Sequence, residues 1–279
     1  MYSCVADPNK GAAAVLRNLT VWTTTLERLA GVARAQLHVH VVEREGTERI
    51  GVWLRARGVA WSTVAPFADG RFCNKLRQPA SPALRACDVA VLCDTDLAFS
   101  GPIDRWLQPH GIAAKVVDGE RPPLAILNEV YAAAGLRGRP AQTRCSFTDA
   151  PTYANNCNGG LYAIEGALLE PLSERWQAWA LWLNERRTML GDFGMHVDQV
   201  SFGLATHELG IAVTLLPTAA NYPTHMPLER CDPACDPPTV LHYHRHINDD
   251  GLLRPAALPQ VTERIEIVNA VLRRAAAEG

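Results

Sequence analysis

The sequence predicts an α/β fold in which a mainly parallel central sheet is flanked by helices, and three observations carry that reading. Short apolar runs alternate with segments of helical periodicity through the first part of the chain, the signature of βαβ units. Val89-Ala90-Val91-Leu92-Cys93 is an unbroken apolar run, short enough for a strand buried on both faces. It stops abruptly at Asp94-Thr95-Asp96, two carboxylates one residue apart at the kind of strand end where open α/β sheets bind their ligands.

Taken in order, Val5 and Ala6 close a first strand before the loop Asp7-Pro8-Asn9-Lys10-Gly11. Leu16, Leu19, Trp22, Leu26, Leu29 and Ala33 recur at helical spacing. Leu37, Val39 and Val41 alternate with His38 and His40, which reads as a strand. Thr47 is placed to cap a second helix carrying Ile50, Trp53 and Leu54, with Gly58 to end it, and residues 60–64 form a third strand. Strand and helix alternating at this spacing imply right-handed crossovers and parallel pairing. Ser81-Pro82 is a cap and first-turn pair opening a short helix before the acidic strand.

After that strand, residues 102–107 read as one helical turn and 112–118 as a strand ending in Asp118. Residues 119–152 hold Pro122, Pro123, Gly135, Gly138 and Pro140 around a helix over 124–134 and are the least regular stretch. Irregular segments of this length in compact domains are usually functional, which assigns this one to an acceptor side. Asn155-Asn156-Cys157-Asn158-Gly159-Gly160 then leads into an apolar strand. Either a tight turn or a close ligand approach accounts for these residue types. Leu169, Leu172, Trp176, Trp179, Ala180 and Leu183 mark a long amphipathic helix whose tryptophans read as core rather than as a sugar platform. Asp198-Gln199 opens a helix that stops at Gly210, and residues 211–216 form another strand. Residues 240–246 read as a strand with His242, His244 and His246 on one face, and Val261, Ile265, Val268 and Leu272 mark a closing helix.

Bulk properties narrow the function. The 279 residues carry a net charge of −2, which argues against nucleic-acid binding through a basic surface. No run of eighteen apolar residues suggests a membrane span. The N-terminus lacks a secretory pattern, so a cytoplasmic location is expected, with the eight cysteines as free thiols. Cys231-x3-Cys235 followed by His242 fits no common structural zinc spacing. Asp94 and Asp96, with no adjoining lysine or arginine, call for water or an oxygen-loving divalent ion such as Mn²⁺ or Mg²⁺.

An apolar strand ending in Asp-x-Asp, then Asn158-Gly159-Gly160-Leu161-Tyr162, Asp198-Gln199 and Leu241-His242-Tyr243 follow one another along nearly the whole chain. This set resembles nucleotide-sugar glycosyltransferases of the GT-A fold, most closely the retaining glycogenin-like and lipopolysaccharide galactosyltransferase-like families. The resemblance implies one GT-A-like domain over 1–279, with a nucleotide-binding half (1–118) and an acceptor and sugar half (119–279). It implies a metal held by Asp94, Asp96 and His242, with His244 in reserve. Donor contacts would come from Asp7, Lys75, Asp94, Thr95, Asn158, Gly159, Gly160 and Asp198, and Asp198 and Gln199 would lie at the reacting sugar. A UDP-sugar is favoured over a GDP-sugar as donor, and a small molecule or glycan is the acceptor. Two other classes remain open. A nucleotidyltransferase also uses carboxylates and metals, but residues 7–11 are only a faint version of its glycine-rich phosphate loop. A non-catalytic nucleotide-sugar-binding protein on the same fold is the other.

Overall fold

The computed structural model describes residues 1–107 and 110–278. The chain runs β1 (Tyr2–Ala6), α1 (Ala12–Arg28), β2 (Leu37–Val42), α2 (Thr47–Ala56), β3 (Ala60–Val64), β4 (Val89–Cys93), β5 (Leu97–Phe99) and β6 (Ile112–Val116). It continues through α3 (Leu124–Ala133), β7 (Gln142–Arg144), β8 (Pro151–Tyr153), β9 (Cys157–Glu165), α4 (Leu169–Glu185) and α5 (Val197–Glu208). The last elements are β10 (Val213–Leu215), β11 (Tyr222–Pro223), β12 (Val240–His242) and α6 (Pro259–Glu278). Two compact units interleave along it: Met1–Val64, Cys93–Leu107 and Leu216–Gly279 form the first, Ala65–Leu92 and Gln108–Leu215 the second.

In the first unit β1, β2 and β3 pair in parallel, Cys4 opposite Val39 and Val39 opposite Trp61. The expected βαβ series is therefore present. Helix α1 begins after Gly11 (φ +86°), and in three of its four threonines, Thr20, Thr23 and Thr25, the hydroxyl donates back to the carbonyl four residues earlier, at 2.8 Å. Its buried stripe is Val15, Leu19, Trp22 and Leu26. The helix stops at Arg28, short of Ala33, because the amides of Leu29 and Ala30 both turn onto the Thr25 carbonyl and Gly31 takes φ +72°. Thr47 does not cap α2: Gly46 (φ +94°) holds that position. The Thr47 hydroxyl instead accepts from the Arg44 amide at 2.9 Å and donates to the Val42 carbonyl at 2.8 Å. A second sheet joins β11 to β12 in parallel and β12 to β5 antiparallel, with His242 opposite Leu97.

In the second unit β10 pairs parallel to β6, and β6 pairs antiparallel to β9 with a register shift between Ala114 and Val116. Asn158, Gly159 and Gly160 lie inside β9 rather than in a turn before it. The tryptophan expectation divides. Trp176 is buried, packed edge-on against Tyr162 at 5.3 Å and Phe202 at 5.0 Å, and its Nε1 donates to the Asp198 carbonyl at 2.8 Å. Trp179 is half-buried and donates to Glu208 at 2.7 Å. All eight cysteines are free thiols, and no helix among the described residues is long and apolar enough to cross a membrane.

Candidate functional site

In the first unit Asp94, Thr95 and Asp96 occupy the short connection between Cys93, the last residue of β4, and Leu97, the first of β5. The antiparallel pairing of β5 with β12 then sets His242 beside Asp96. The His242 Nε2 lies 3.5 Å from Asp96 Oδ1 and 4.0 Å from Asp94 Oδ2. Its other nitrogen, Nδ1, is 3.1 Å from Asn221 Oδ1. With that oxygen accepting, Nδ1 carries the proton and the neutral ring presents the Nε2 lone pair to two carboxylates. Three electron-rich groups facing one another require a proton or a cation between them, so the donor set fits a divalent ion. The backbone reinforces the pairing: the Tyr243 amide donates to the Asp96 carbonyl at 3.1 Å, and the Tyr243 hydroxyl to the Thr95 carbonyl at 3.4 Å.

Residues 240–246 do not form one strand. β12 ends at His242, and His244 adopts φ +48°, a left-handed conformation that a non-glycine residue holds at a cost of roughly 1–3 kcal/mol. Strand alternation therefore does not bring the histidines together. The turn does, stacking the His244 ring on His242 at 3.8 Å and setting its Nδ1 3.7 Å from Asp96 Oδ2. His225 packs edge-on against His244 at 4.7 Å. His246 points elsewhere, its Nδ1 3.4 Å from the Thr224 hydroxyl. Burial acts to raise the Asp96 pKa, but the facing His242, by charge and hydrogen bond, outweighs it. With His244 and Lys10 adding to the pull, the carboxyl is held well below the usual range whenever a proton, rather than a metal ion, sits between it and His242. Asp7 caps the 3₁₀ turn Pro8–Lys10 by accepting from the Asn9 amide at 2.9 Å, and it pairs with Arg44 at 3.0 Å.

The second unit gathers a separate polar cluster. Lys75, on the 3₁₀ helix Phe72–Arg77, donates to the Gly159 carbonyl at 3.0 Å and pairs with Asp198 Oδ2 at 3.3 Å. Asp198 lies in the first turn of α5, where an acid also suits the helix dipole, and its side chain is buried. Glycine is required at 159 by space rather than by backbone angle. A Cβ there would come within 2.8 Å of Lys75 Nζ, 3.3 Å of Asp198 Oδ2 and 3.4 Å of Gln199 Cγ. The Asn158 amide donates to Asp118 Oδ2 at 2.7 Å, while its carbonyl oxygen accepts from the Gly160 amide at 2.9 Å. Asp118 also pairs with the buried Lys115 and accepts from Ser146 at 3.1 Å. At the start of α5, burial first, and then the charges of Arg121 and Lys75, lower the His196 pKa to about 4.

The sequence-derived candidates thus fall into two groups. Asp94, Asp96, His242 and the reserve His244 converge in the first unit, which also contains Asp7 and Thr95. Lys75, Asn158, Gly159, Gly160, Asp198 and Gln199 converge in the second. The sequence pattern marked Asp118 only as the end of a strand and gave Asn221 no place in the site. A polar residue at the end of β6 was the available signal for Asp118. Nothing local marks Asn221 as the partner of His242.

The fold has solved counterparts. Galactosyltransferase LgtC in complex with donor and acceptor sugar analogs superposes with a TM-score of 0.56 at 15% identity, covering 96% of this chain and 95% of that one. An active-site mutant of LgtC gives 0.53 at 14% identity, with the same coverage. Mouse xyloside xylosyltransferase 1 in its apo form gives 0.51 at 13% identity, covering 88% of this chain and 97% of that one. The chain therefore has the GT-A-type glycosyltransferase fold, a mixed α/β architecture, as the sequence pattern predicts. No protein-family model and no curated protein sequence matches it.

Proposed function

We propose that this chain is a metal-dependent glycosyltransferase that moves a sugar from a nucleotide-diphosphate-sugar donor to an acceptor hydroxyl. The observation that carries the reading is the convergence of Asp96 and His242, 3.5 Å apart, in a chain of GT-A-type fold. The donor is a UDP-sugar in preference to a GDP-sugar, and the acceptor is a small molecule or glycan.

Asp94, Asp96 and His242 would hold a divalent ion, Mn²⁺ or Mg²⁺. Bound there, such an ion supplies positive charge to the oxygens of the departing diphosphate. Asn221 keeps His242 in the tautomer whose Nε2 is a lone-pair donor. Asp7 and Thr95 contribute donor contacts. In the second cluster, Lys75, fixed by Asp198 and the Gly159 carbonyl, presents a cation to the donor. Asn158 and Asp198 orient sugar hydroxyls, and Gly159 and Gly160 let the backbone approach the ring. Gln199 cannot take up a proton near neutral pH because an amide has no basic site. It therefore supports the sugar rather than deprotonating the acceptor, which accords with a retaining outcome.

A thermal-shift panel of UDP-, GDP- and dTDP-sugars with and without Mn²⁺ tests the donor. A ligand specific to the native state raises apparent stability, so a UDP-sugar with Mn²⁺ should give the largest shift. No shift with any nucleotide-sugar contradicts the reading. Proton NMR of the product then gives the anomeric outcome. Retention agrees with the role of Gln199, and inversion, with activity lost on replacing Asp192 or Asp198, overturns it. Nucleotide-sugar formation from a nucleoside triphosphate would make the chain a nucleotidyltransferase, and binding without turnover a non-catalytic module.

A further inference from the structure

Two imidazoles, not one, face the Asp96 carboxylate. Among the described residues, Asp96, His242 and His244 form a group whose ligand atoms all lie within 4.8 Å of one another, with Asp94 4.0 Å from His242 beside it. The carboxylate is divided between the two rings: Oδ1 lies 3.5 Å from His242 Nε2, and Oδ2 lies 3.7 Å from His244 Nδ1. Atoms bound about 2.1 Å from a shared ion stand roughly 3.0–3.5 Å apart, so small side-chain movements suffice to close this set on a cation. Both rings are positioned by the fold. His242 is buried and held through Asn221, while His244 is turned back by its left-handed backbone, stacked on His242 and met edge-on by His225.

We propose that His242 and His244 both ligate the cation with Asp96, making a nitrogen-rich centre that selects late first-row divalent ions over Mg²⁺ and Ca²⁺. The chemistry follows from the donors. Mg²⁺ and Ca²⁺ prefer all-oxygen shells, and Mg²⁺ sheds water reluctantly. Imidazole suits Co²⁺, Ni²⁺, Zn²⁺ and Fe²⁺, whose affinities for nitrogen donors exceed that of Mn²⁺. A second histidine strengthens this preference, and two histidines with one carboxylate leave open positions for a ligand oxygen. The proposal rests on the donor-binding reading only for the use of those positions, because ion selectivity belongs to the protein alone.

The test is ion binding by the full chain, stripped with chelator and free of nucleotide. Calorimetry with Co²⁺, Mn²⁺ and Mg²⁺ is followed by the visible absorption of the Co²⁺ form. One Co²⁺ should bind per chain, at least about 100-fold more tightly than Mg²⁺. His244→Asn is the informative variant, since asparagine accepts left-handed backbone better than most residues and offers no imidazole. It should weaken Co²⁺ by about tenfold or more, leave Mg²⁺ nearly unchanged and alter the Co²⁺ spectrum, with circular dichroism unchanged. His242→Gln should likewise weaken Co²⁺ by about tenfold or more and alter its spectrum. If His244→Asn binds Co²⁺ with parental affinity and spectrum, the second ligand does not exist and the proposal fails. That result leaves sugar transfer untouched. Conversely, intact two-histidine selectivity without turnover of any nucleotide-sugar upholds the proposal while the transferase reading fails.

Discussion

Asp96 and His242 face each other across the β5–β12 pair, with the imidazole Nε2 3.5 Å from Oδ1. Asp94 stands farther from the same nitrogen, at 4.0 Å. The two carboxylates should therefore differ in weight. By calorimetry, Asp96→Asn is expected to weaken Mn²⁺ by about 100-fold and Asp94→Asn by about tenfold. Parental affinity in both variants would remove the Asp-x-Asp site from the account.

Gly159 is held free of side chain by its neighbours. An added Cβ would meet the far end of Lys75 at 2.8 Å, and that flexible chain can yield. Gly159→Ala should thus keep the melting temperature within a few degrees, because Lys75 Nζ shifts away from the Gly159 carbonyl while staying paired with Asp198. Donor affinity, read by thermal shift with UDP-sugar and Mn²⁺, should fall by roughly tenfold, worth about 1.4 kcal/mol. A variant with normal donor binding would place the sugar elsewhere.

Lys75 and Asp198 form a largely buried pair, with side chains 15% and 3% exposed. Removing one partner of such a pair costs about 3–5 kcal/mol because a buried charge loses its compensation. Lys75→Met should be destabilised by about that amount in urea melts. The double variant Lys75→Met/Asp198→Asn should regain more than half of it. If both variants are equally unstable, the loss comes from packing and not from charge.

His40 supplies an acid-sensitive element in the first unit. Its Nδ1 lies 3.0 Å from the Ser62 hydroxyl, its Nε2 has no hydrogen-bond partner among the described residues, and burial first, then the nearby His38, lowers its pKa to about 3. The unfolded chain takes up this proton near pH 6.5, while the folded chain resists until about pH 3. The stabilisation is therefore complete above pH 6.5 and is lost as pH falls toward 3. The loss is about 2 kcal/mol by pH 5. Urea melts at pH 7 and pH 5 should show that loss in the parent and much less of it in His40→Leu. Equal losses in both would assign the acid sensitivity to other groups.

Much of this was legible in the sequence because it depends on local pattern. Apolar runs marked β2 and β4, and the helical stripes marked α1, α4 and α6, since burial on one or both faces leaves a period that residue types record. Asp-x-Asp was visible because it stands at a strand end. Less legible were features set by turns. His244 meets His242 through a left-handed residue, not through the two-residue period of a strand, and no side-chain pattern announces that in a histidine. Gly46 took the capping place offered to Thr47 because the Thr47 hydroxyl was already engaged with Val42 and Arg44. Asn221 and Asp118 act on residues 21 and 40 positions away, distances at which only the folded chain reveals a partner.

The central claim is metal-dependent cleavage of a nucleotide-sugar, and the release of nucleoside diphosphate measures it most directly. The chelator-stripped chain would be incubated with UDP-sugars, with and without Mn²⁺, and the freed UDP quantified, since water can stand in for an unidentified acceptor. The account predicts slow UDP release with at least one UDP-sugar, abolished by chelator and reduced at least about 100-fold in Asp96→Asn. Release at the same rate in Asp96→Asn, or none with any nucleotide-sugar at high protein concentration, would contradict it.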